Sequence, residues 1–343
     1  MSATTQTPNS TSTLSKTLGA LLGVHAGDSL GATLEFAPWS EIIRKYPNGL
    51  RDIIGGGPFS WPAGHATDDT DLTRAVLLAY HARAQELHNY GPEAASSFDI
   101  AKASADYAVK WNDGDWPGRK KGSRPEDIGG ATDTGIHKYK RCKDAAKSGA
   151  GHGSAGNGSL MRCIPTALFT GTPEKRVRES MCISAFTHND PRCTVACAAY
   201  NEIVAALIEG RDVREAVEVG KSVALDLECP AVADAMAEGE RLKLAKVASE
   251  GPREHGFTPS GFVLHSLTIA IAAVLDERSF EDVLVDVVRL GGDADTNGAI
   301  AGGLVGAREG VEGIPERWRE KLQFGKEFKD LASEILEVQK GRK

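Results

Sequence analysis

Two short acidic clusters lie far apart in the chain, and each stands where a helix should begin. The first is Thr67-Asp68-Asp69-Thr70-Asp71, directly ahead of an apolar helical stripe. Thr and Asp are good helix caps, and carboxylates in a first turn complement the helix dipole. Three Asp within four residues exceed what capping needs, because like charges repel unless a positive charge sits among them. The second is Asp293-Ala294-Asp295-Thr296-Asn297-Gly298, preceded by Gly291 and Gly292 and followed by the small-residue run AIAGGLVGA. Carboxylates and hydroxyls without neighbouring Cys or His suit a hard cation such as Mg²⁺, Mn²⁺ or Ca²⁺. An EF-hand loop starting at Asp293 is excluded, because Leu304 stands where the bidentate Glu is required. A phosphatase-type D-x-D-x-T is excluded too: Thr296 is one place early, and Gly291-Gly292 break the strand that should lead in. Either cluster alone fits a capped helix equally well. Together they are better explained as two halves of one metal site.

A glycine-rich segment supplies a second kind of chemistry. Gly153, Gly156 and Gly158 in G-H-G-S-A-G-N-G-S allow positive φ and close backbone approach to an anion. A flexible surface loop is the competing reading. Asn157-Gly158-Ser159 also matches a glycosylation acceptor, which is set aside for want of a secretion signal. His188, followed by Asn189-Asp190-Pro191, is either a site residue or a capping or core histidine. His25, His65, His152, His255 and His265 lack metal-ligand spacing to one another. Cys193 and Cys197 are four apart on a helix and read as small core residues sharing a face.

The elements that must position these groups are helical. Leu14, Leu18, Leu21 and Leu22 recur at helical spacing and are expected to stop at Gly27. Further stripes are Leu72–Ala84, Ala196–Leu207 ending at Gly210, Val263–Val274, and Leu284–Val288. Leu50–Ile54 is the one short strand candidate. Long Gly- and Pro-rich segments, Gly55–Gly64, Asn112–Gly130 and Ser148–Ser159, separate the helices, and loops this long are usually functional. No repeat or linker is visible. The expectation is one all-α domain over residues 14–343, with functional loops gathered on one face.

Residues 1–13, rich in Ser, Thr, Asn and Pro without Lys, Arg or an apolar run, read as a disordered tail rather than a targeting peptide. Nothing approaches a transmembrane span. The net charge of −7 argues against an extended nucleic-acid surface, without excluding a local anion pocket. A monomer in the cytoplasm, or the nucleus, is the expected setting.

The clusters occur within a wider ordered pattern that resembles the ADP-ribosylglycohydrolase family. Gly27-Asp28-Ser29-Leu30-Gly31 ending in Glu35 resembles its opening G-D-x-L-G…E. Tyr107, Trp111 and Asp127-Ile128-Gly129 resemble its middle segment, Gly156-Asn157-Gly158-Ser159-Leu160-Met161-Arg162 its G-N-G-x-x-M-R, and Thr187-His188 its T-H step. The pattern runs over roughly residues 16 to 310, and the ordered set is far more specific than any member.

The resemblance implies a single orthogonal all-α bundle with a binuclear Mg²⁺ or Mn²⁺ centre in a surface cleft. Thr67, Asp68, Asp69, Asp293, Asp295 and Thr296 would be the ligands. Glu35, Asp69 and Asp295 would be catalytic. Gly153, Ser154, Gly156, Asn157, Gly158, Ser159, Met161, His188 and Asp127 would contact substrate, the glycine loop cradling a diphosphate. The implied reaction is metal-dependent hydrolysis of the bond between ADP-ribose and an acceptor on a protein or small molecule, the cations fixing the vicinal hydroxyls of the distal ribose. A non-catalytic ADP-ribose-binding or structural protein is the alternative, as is a hydrolase of another nucleotide-like substrate. Ala155 stands where some relatives have an aromatic residue for adenine stacking, so adenine must be held elsewhere. The charged loop 112–126 could meet the modified macromolecule, or simply be solvated.

Overall fold

The computed structural model describes residues 12–341. Among these, seventeen α-helices and three short 3-10 turns carry the fold, and no strand forms. The all-α expectation holds. No helix among the described residues is long and apolar enough to cross a membrane. Most of the proposed tail lies outside the described residues, but Ser12 caps the first helix, Thr13–Gly31, by accepting from Ser15 N at 3.1 Å.

One helix pair organises the molecule. Thr13–Gly31 runs antiparallel to Ala294–Glu309, with Gly19, Gly23, Gly27 and Gly31 facing Gly306, Gly302, Gly298 and Ala294. A Cβ placed on Gly23 would stand 2.1 Å from Gly302 O, and one on Gly27 1.9 Å from Gly298 O. Glycines four apart fall on one helix face, so the two backbones touch over the whole length of the seam. The sequence reading ended the first helix at Gly27. The helix instead passes through it, because this glycine is a contact surface and not a stop signal.

The pairing fixes where chemistry sits. It brings the C-terminal end of the first helix, with Asp28, beside the N-terminus of Ala294–Glu309, with Asp295. A third helix, Asp68–Tyr90, packs against the first and delivers its own N-terminal acids to the same place. Behind them, Pro191–Ile208 and the apolar Val263–Leu275 fill the core. These helices and Phe280–Arg289 match the sequence stripes, with longer ends.

The strand expected at Leu50–Ile54 does not form. No second extended segment lies beside it. Its carbonyls are taken by side chains: Arg51 O by Trp318 Nε1 at 3.1 Å, and Ile53 O by Lys321 Nζ at 2.9 Å.

Candidate functional site

The three helix ends converge on a group of buried carboxylates. Asp28 comes from the first helix, of which it is the one carboxylate. Its Oδ2 accepts from Thr67 N at 3.1 Å, from Thr70 N at 3.3 Å and from the Thr70 hydroxyl, so it caps the Asp68–Tyr90 helix from outside. Its other oxygen has no partner. Asp69 is fully buried. Its Oδ2 accepts from Thr67 Oγ1 at 3.2 Å and from Thr296 Oγ1 at 3.4 Å, and its Oδ1 is unpartnered. Asp295 Oδ1 and Glu35 Oε2 are buried and unpartnered as well.

One carboxylate oxygen from each of Asp28, Asp69 and Asp295 lies within 4.8 Å of the other two, and the same holds for Glu35, Asp127 and Asp295. Asp295 belongs to both groups. Among the described residues no Lys or Arg forms an ion pair with any of these five, nor with Asp68 or Asp293. Burial first, and then mutual repulsion, pushes Asp68, Asp69 and Asp295 well above the carboxylate range. Burial likewise lifts Glu35 to about 8, with Asp127 and Asp293 adding to it, Asp28 to about 7 and Asp127 to about 6. Four orphaned oxygens in an all-oxygen, unneutralised cluster fit a hard cation, which supplies both the charge and the missing partners.

Capping does not account for the second cluster. Asp293 occupies the N-cap position of Ala294–Glu309, yet its side chain makes no capping bond. Its Oδ2 accepts from Asn157 Nδ2 at 2.6 Å instead. Capping does account for part of the first, since Thr67 Oγ1 accepts from Asp69 N at 3.4 Å. Asp71 turns away from the group. Its two oxygens accept from the indoles of Trp111, at 2.8 Å, and Trp116, at 2.7 Å, which anchor the charged loop 112–126.

The turn carrying Glu35 is laced to the turn that precedes Asp293. Phe36 N donates to Gly292 O at 2.7 Å, and Gly292 N to Ala37 O at 3.1 Å. Gly291 and Gly292 have φ of +77° and +65° and press on Ala37 O and Pro259 O, an approach that a side chain would block. Phe36 itself sits at φ 60°, a conformation that non-glycine residues rarely adopt.

Several of these acids form the floor of a cleft of about 540 Å³. Of the residues proposed from sequence, Glu35, Asp68, Asp127, Asp293, Asp295 and Thr296 line it. Gly156, Asn157, Gly158, Met161 and His188 line it as well, and Asn157 adjoins the acids through its bond to Asp293. Thr67 and Asp69 lie beneath the floor, both buried. Gly153, Ser154 and Ser159 are not brought into the cleft. Gly153 N donates to Asp190 Oδ2 at 2.8 Å, and Ser159 Oγ faces inward, accepting from Ser184 Oγ at 2.8 Å. Only Gly153 of the three loop glycines has positive φ. Gly158 is needed for another reason: a Cβ there would meet His188 Cε1 at 2.9 Å and Thr132 Oγ1 at 3.0 Å.

Cys193 and Cys197 do share a buried face, turned toward this loop. Cys193 Sγ donates to Gly156 O at 3.2 Å, and Cys197 Sγ to Ser159 Oγ at 3.5 Å. Sequence reasoning gave no role to Asp28, although a lone Asp inside an apolar helix was a signal. Thr132 and the Pro259–Gly261 wall carried none, since their place in the cleft depends wholly on the fold.

This arrangement can be set against known proteins. A family model described as ADP-ribosylglycohydrolase matches residues 9–343. The chain belongs to the ADP-ribosylglycohydrolase family. Its class of reaction is therefore hydrolysis of a glycosidic bond to ADP-ribose. The chain is 30% identical over 316 residues to an ADP-ribosyl-[dinitrogen reductase] glycohydrolase of Rhodospirillum rubrum, covering 90% of each chain. It is 29% identical over 326 residues to an ADP-ribosylarginine hydrolase of Pseudomonas putida (strain GB-1), covering 94% of this chain and 78% of that one. A solved structure titled ADP-ribosylglycohydrolase-related protein complex superposes with a TM-score of 0.72 at 26% identity, covering 95% of this chain and 98% of the other. In this ADP-ribosylglycohydrolase, as in the sequence reading, acidic residues gather where a metal ion could be held.

Proposed function

We propose that this protein removes ADP-ribose from arginine side chains of modified proteins, using two divalent ions, Mg²⁺ or Mn²⁺. The observation that carries the reading is the gathering of four carboxylates with unpartnered oxygens, Asp28 and Asp69 grouped with Asp295, and Asp295 with Glu35, at the cleft that the glycine loop also lines. Arginine as acceptor is favoured because a relative matched along 94% of this chain is named an ADP-ribosylarginine hydrolase.

Thr67, Asp68, Asp69, Asp293, Asp295 and Thr296 would hold the ions, with Asp28 added to the set implied by sequence. Asp295, common to both carboxylate groups, is the residue suited to both ions. When bound, the ions would fix the vicinal hydroxyls of the distal ribose and polarise the adjoining anomeric centre. The chain's own groups do the rest. Gly156 and Gly158 seat the diphosphate, with His188 beside them, while Asn157, its donors taken by Gly261 O, Ser266 Oγ and Asp293 Oδ2, braces the loop. Glu35 Oε2, buried and free of any protein partner, holds a water or a proton beside the anomeric carbon. Asn157 holds Asp293 in register with the loop, so the reacting ribose and the diphosphate are positioned together.

The test is release of ADP-ribose from arginine-linked, serine-linked and nucleic-acid-linked substrates, measured side by side after chelation and after adding back Mg²⁺ or Mn²⁺. Metal-restored release from the arginine substrate is expected. Full release in chelator, or release only from another linkage, contradicts the reading.

A further inference from the structure

Arg162 is almost wholly buried, and none of its hydrogen bonds goes to a carboxylate. Its Nη1 donates to Gly158 O at 2.6 Å, its Nη2 to Thr187 Oγ1 at 2.6 Å, and the guanidinium stands 4.5 Å above the Phe186 ring. A buried guanidinium that lacks a counter-ion is costly to keep. Its place directly behind the glycine loop, in a protein whose cleft is otherwise acidic, asks what anion it serves.

The contacts of Thr187 give the answer. Arginine can only donate, so Thr187 Oγ1 accepts from Arg162. The threonine hydroxyl is fully buried, and its remaining partner among the described residues is His188 Nδ1 at 2.8 Å. The hydroxyl could accept twice, but its buried proton would then be left without an acceptor. Nδ1 is the one acceptor it reaches among the described residues, and the proton is assigned to Nδ1. That makes Nδ1 an acceptor, and the imidazole proton resides on Nε2. His188 lines the cleft beside Gly156 and Gly158, and Nε2 is on the edge turned to those glycines: a Cβ on Gly156 would lie 3.4 Å from Nε2, and one on Gly158 3.2 Å from it. Among the described residues no protein group accepts from Nε2. Burial, and then the neighbouring Arg162, hold the imidazole far below its usual range, at about 3, so it stays neutral.

We propose that Arg162 and Thr187 are positioning residues that lock His188 as an Nε2–H donor, and that this donor takes a phosphate oxygen of the substrate diphosphate. The buried guanidinium adds a positive potential directly behind the glycine loop. A donor fixed by this chain does not switch off within the physiological pH range, as a freely titrating histidine would. The inference rests on the ADP-ribosyl substrate proposed above.

The full-length protein labelled with ¹⁵N at histidine tests it. Two-bond ¹H–¹⁵N correlations distinguish the tautomers, and the His188 signals are those lost in His188→Gln. The expected result is the neutral Nε2–H form from pH 6 to pH 8. An Nδ1–H form, or an imidazolium in that range, overturns the proposal without using any variant at position 187. Calorimetry with free ADP-ribose supplies the second arm. Thr187→Val should mix the tautomers and weaken ADP-ribose binding about 10-fold, while Thr187→Ser preserves both. Wild-type binding left unchanged in a folded Thr187→Val protein overturns this inference alone. A wild-type protein that shows the Nε2–H form but binds no ADP-ribose overturns the phosphate assignment together with the substrate reading.

Discussion

Asn157 Nδ2 donates to Asp293 Oδ2 at 2.6 Å, joining the glycine loop to the second acidic cluster; its other bond, to Ser266 Oγ at 2.9 Å, anchors the amide in the core. The amide orients a carboxylate that is expected to face a cation. Asn157→Ala should therefore lower divalent-metal affinity by about 10- to 100-fold. Titration with Mn²⁺ measures this. Weaker ADP-ribose binding with unchanged metal affinity would show that Asn157 serves the loop only.

Asp295 is the residue shared by both carboxylate groups. Asp295→Asn keeps the volume and one carbonyl oxygen but removes the charge that would separate two cations. ADP-ribose release should fall by at least about 100-fold, with metal affinity falling in parallel. Melting in chelator should be unchanged or higher, because one member of a self-repelling group is gone. An active Asp295→Asn enzyme would remove this residue from the centre.

Asp71 makes the contrasting case within the same sequence cluster. Both of its oxygens are used by indole N–H groups of Trp111 and Trp116. Asp71→Asn turns an amide N–H toward one of those donors and should cost about 1–3 kcal/mol of stability. Metal affinity should stay within about 2-fold of wild type, since second-shell changes that matter cost 10-fold or more. Urea unfolding and metal titration together check the split.

The metal-free protein should lose stability as pH rises. Asp28 and Glu35 are pushed up to about 7 and about 8 by burial, against ordinary values near 4 in the unfolded chain. Raised carboxyl values mean that the folded state binds more protons between those limits. Its stability is full below about pH 4 and declines as pH climbs toward pH 8. Added Mg²⁺ or Mn²⁺ should restore it, by a margin that grows with pH. A melting temperature in chelator that is flat or rising from pH 5 to pH 8 would contradict the crowded-acid account.

The glycine seam should tolerate no side chain. Gly23→Ala places a Cβ 2.1 Å from Gly302 O, so the two helices must separate. A loss of about 1–3 kcal/mol or more is expected, together with weaker metal binding, because Asp28 and Asp295 ride on the two helices. Wild-type stability in Gly23→Ala would mean that the seam is looser than described.

The sequence by itself determined the all-α class, because a 3.6-residue apolar period recurs in five stripes along the chain, while most of the seventeen helices among the described residues carry no such local mark. It also placed the acidic clusters and the glycine loop, since side-chain type and short spacing announce metal and anion chemistry. What it could not decide was which carboxylates meet. Asp68, Asp69 and Asp71 look alike as letters, yet helix rotation sends Asp71 to two indoles and Asp69 to the buried floor. Asp28 joins that floor because a glycine seam lets two backbones touch, a contact between residues hundreds of positions apart. Gly27 read as a helix end locally and proved to be part of the seam, since its role lies in a partner helix. The same holds for His188, whose proton is placed by Arg162 through Thr187. Hydrogen-bond direction is a property of three groups in space, and no spacing along the chain encodes it.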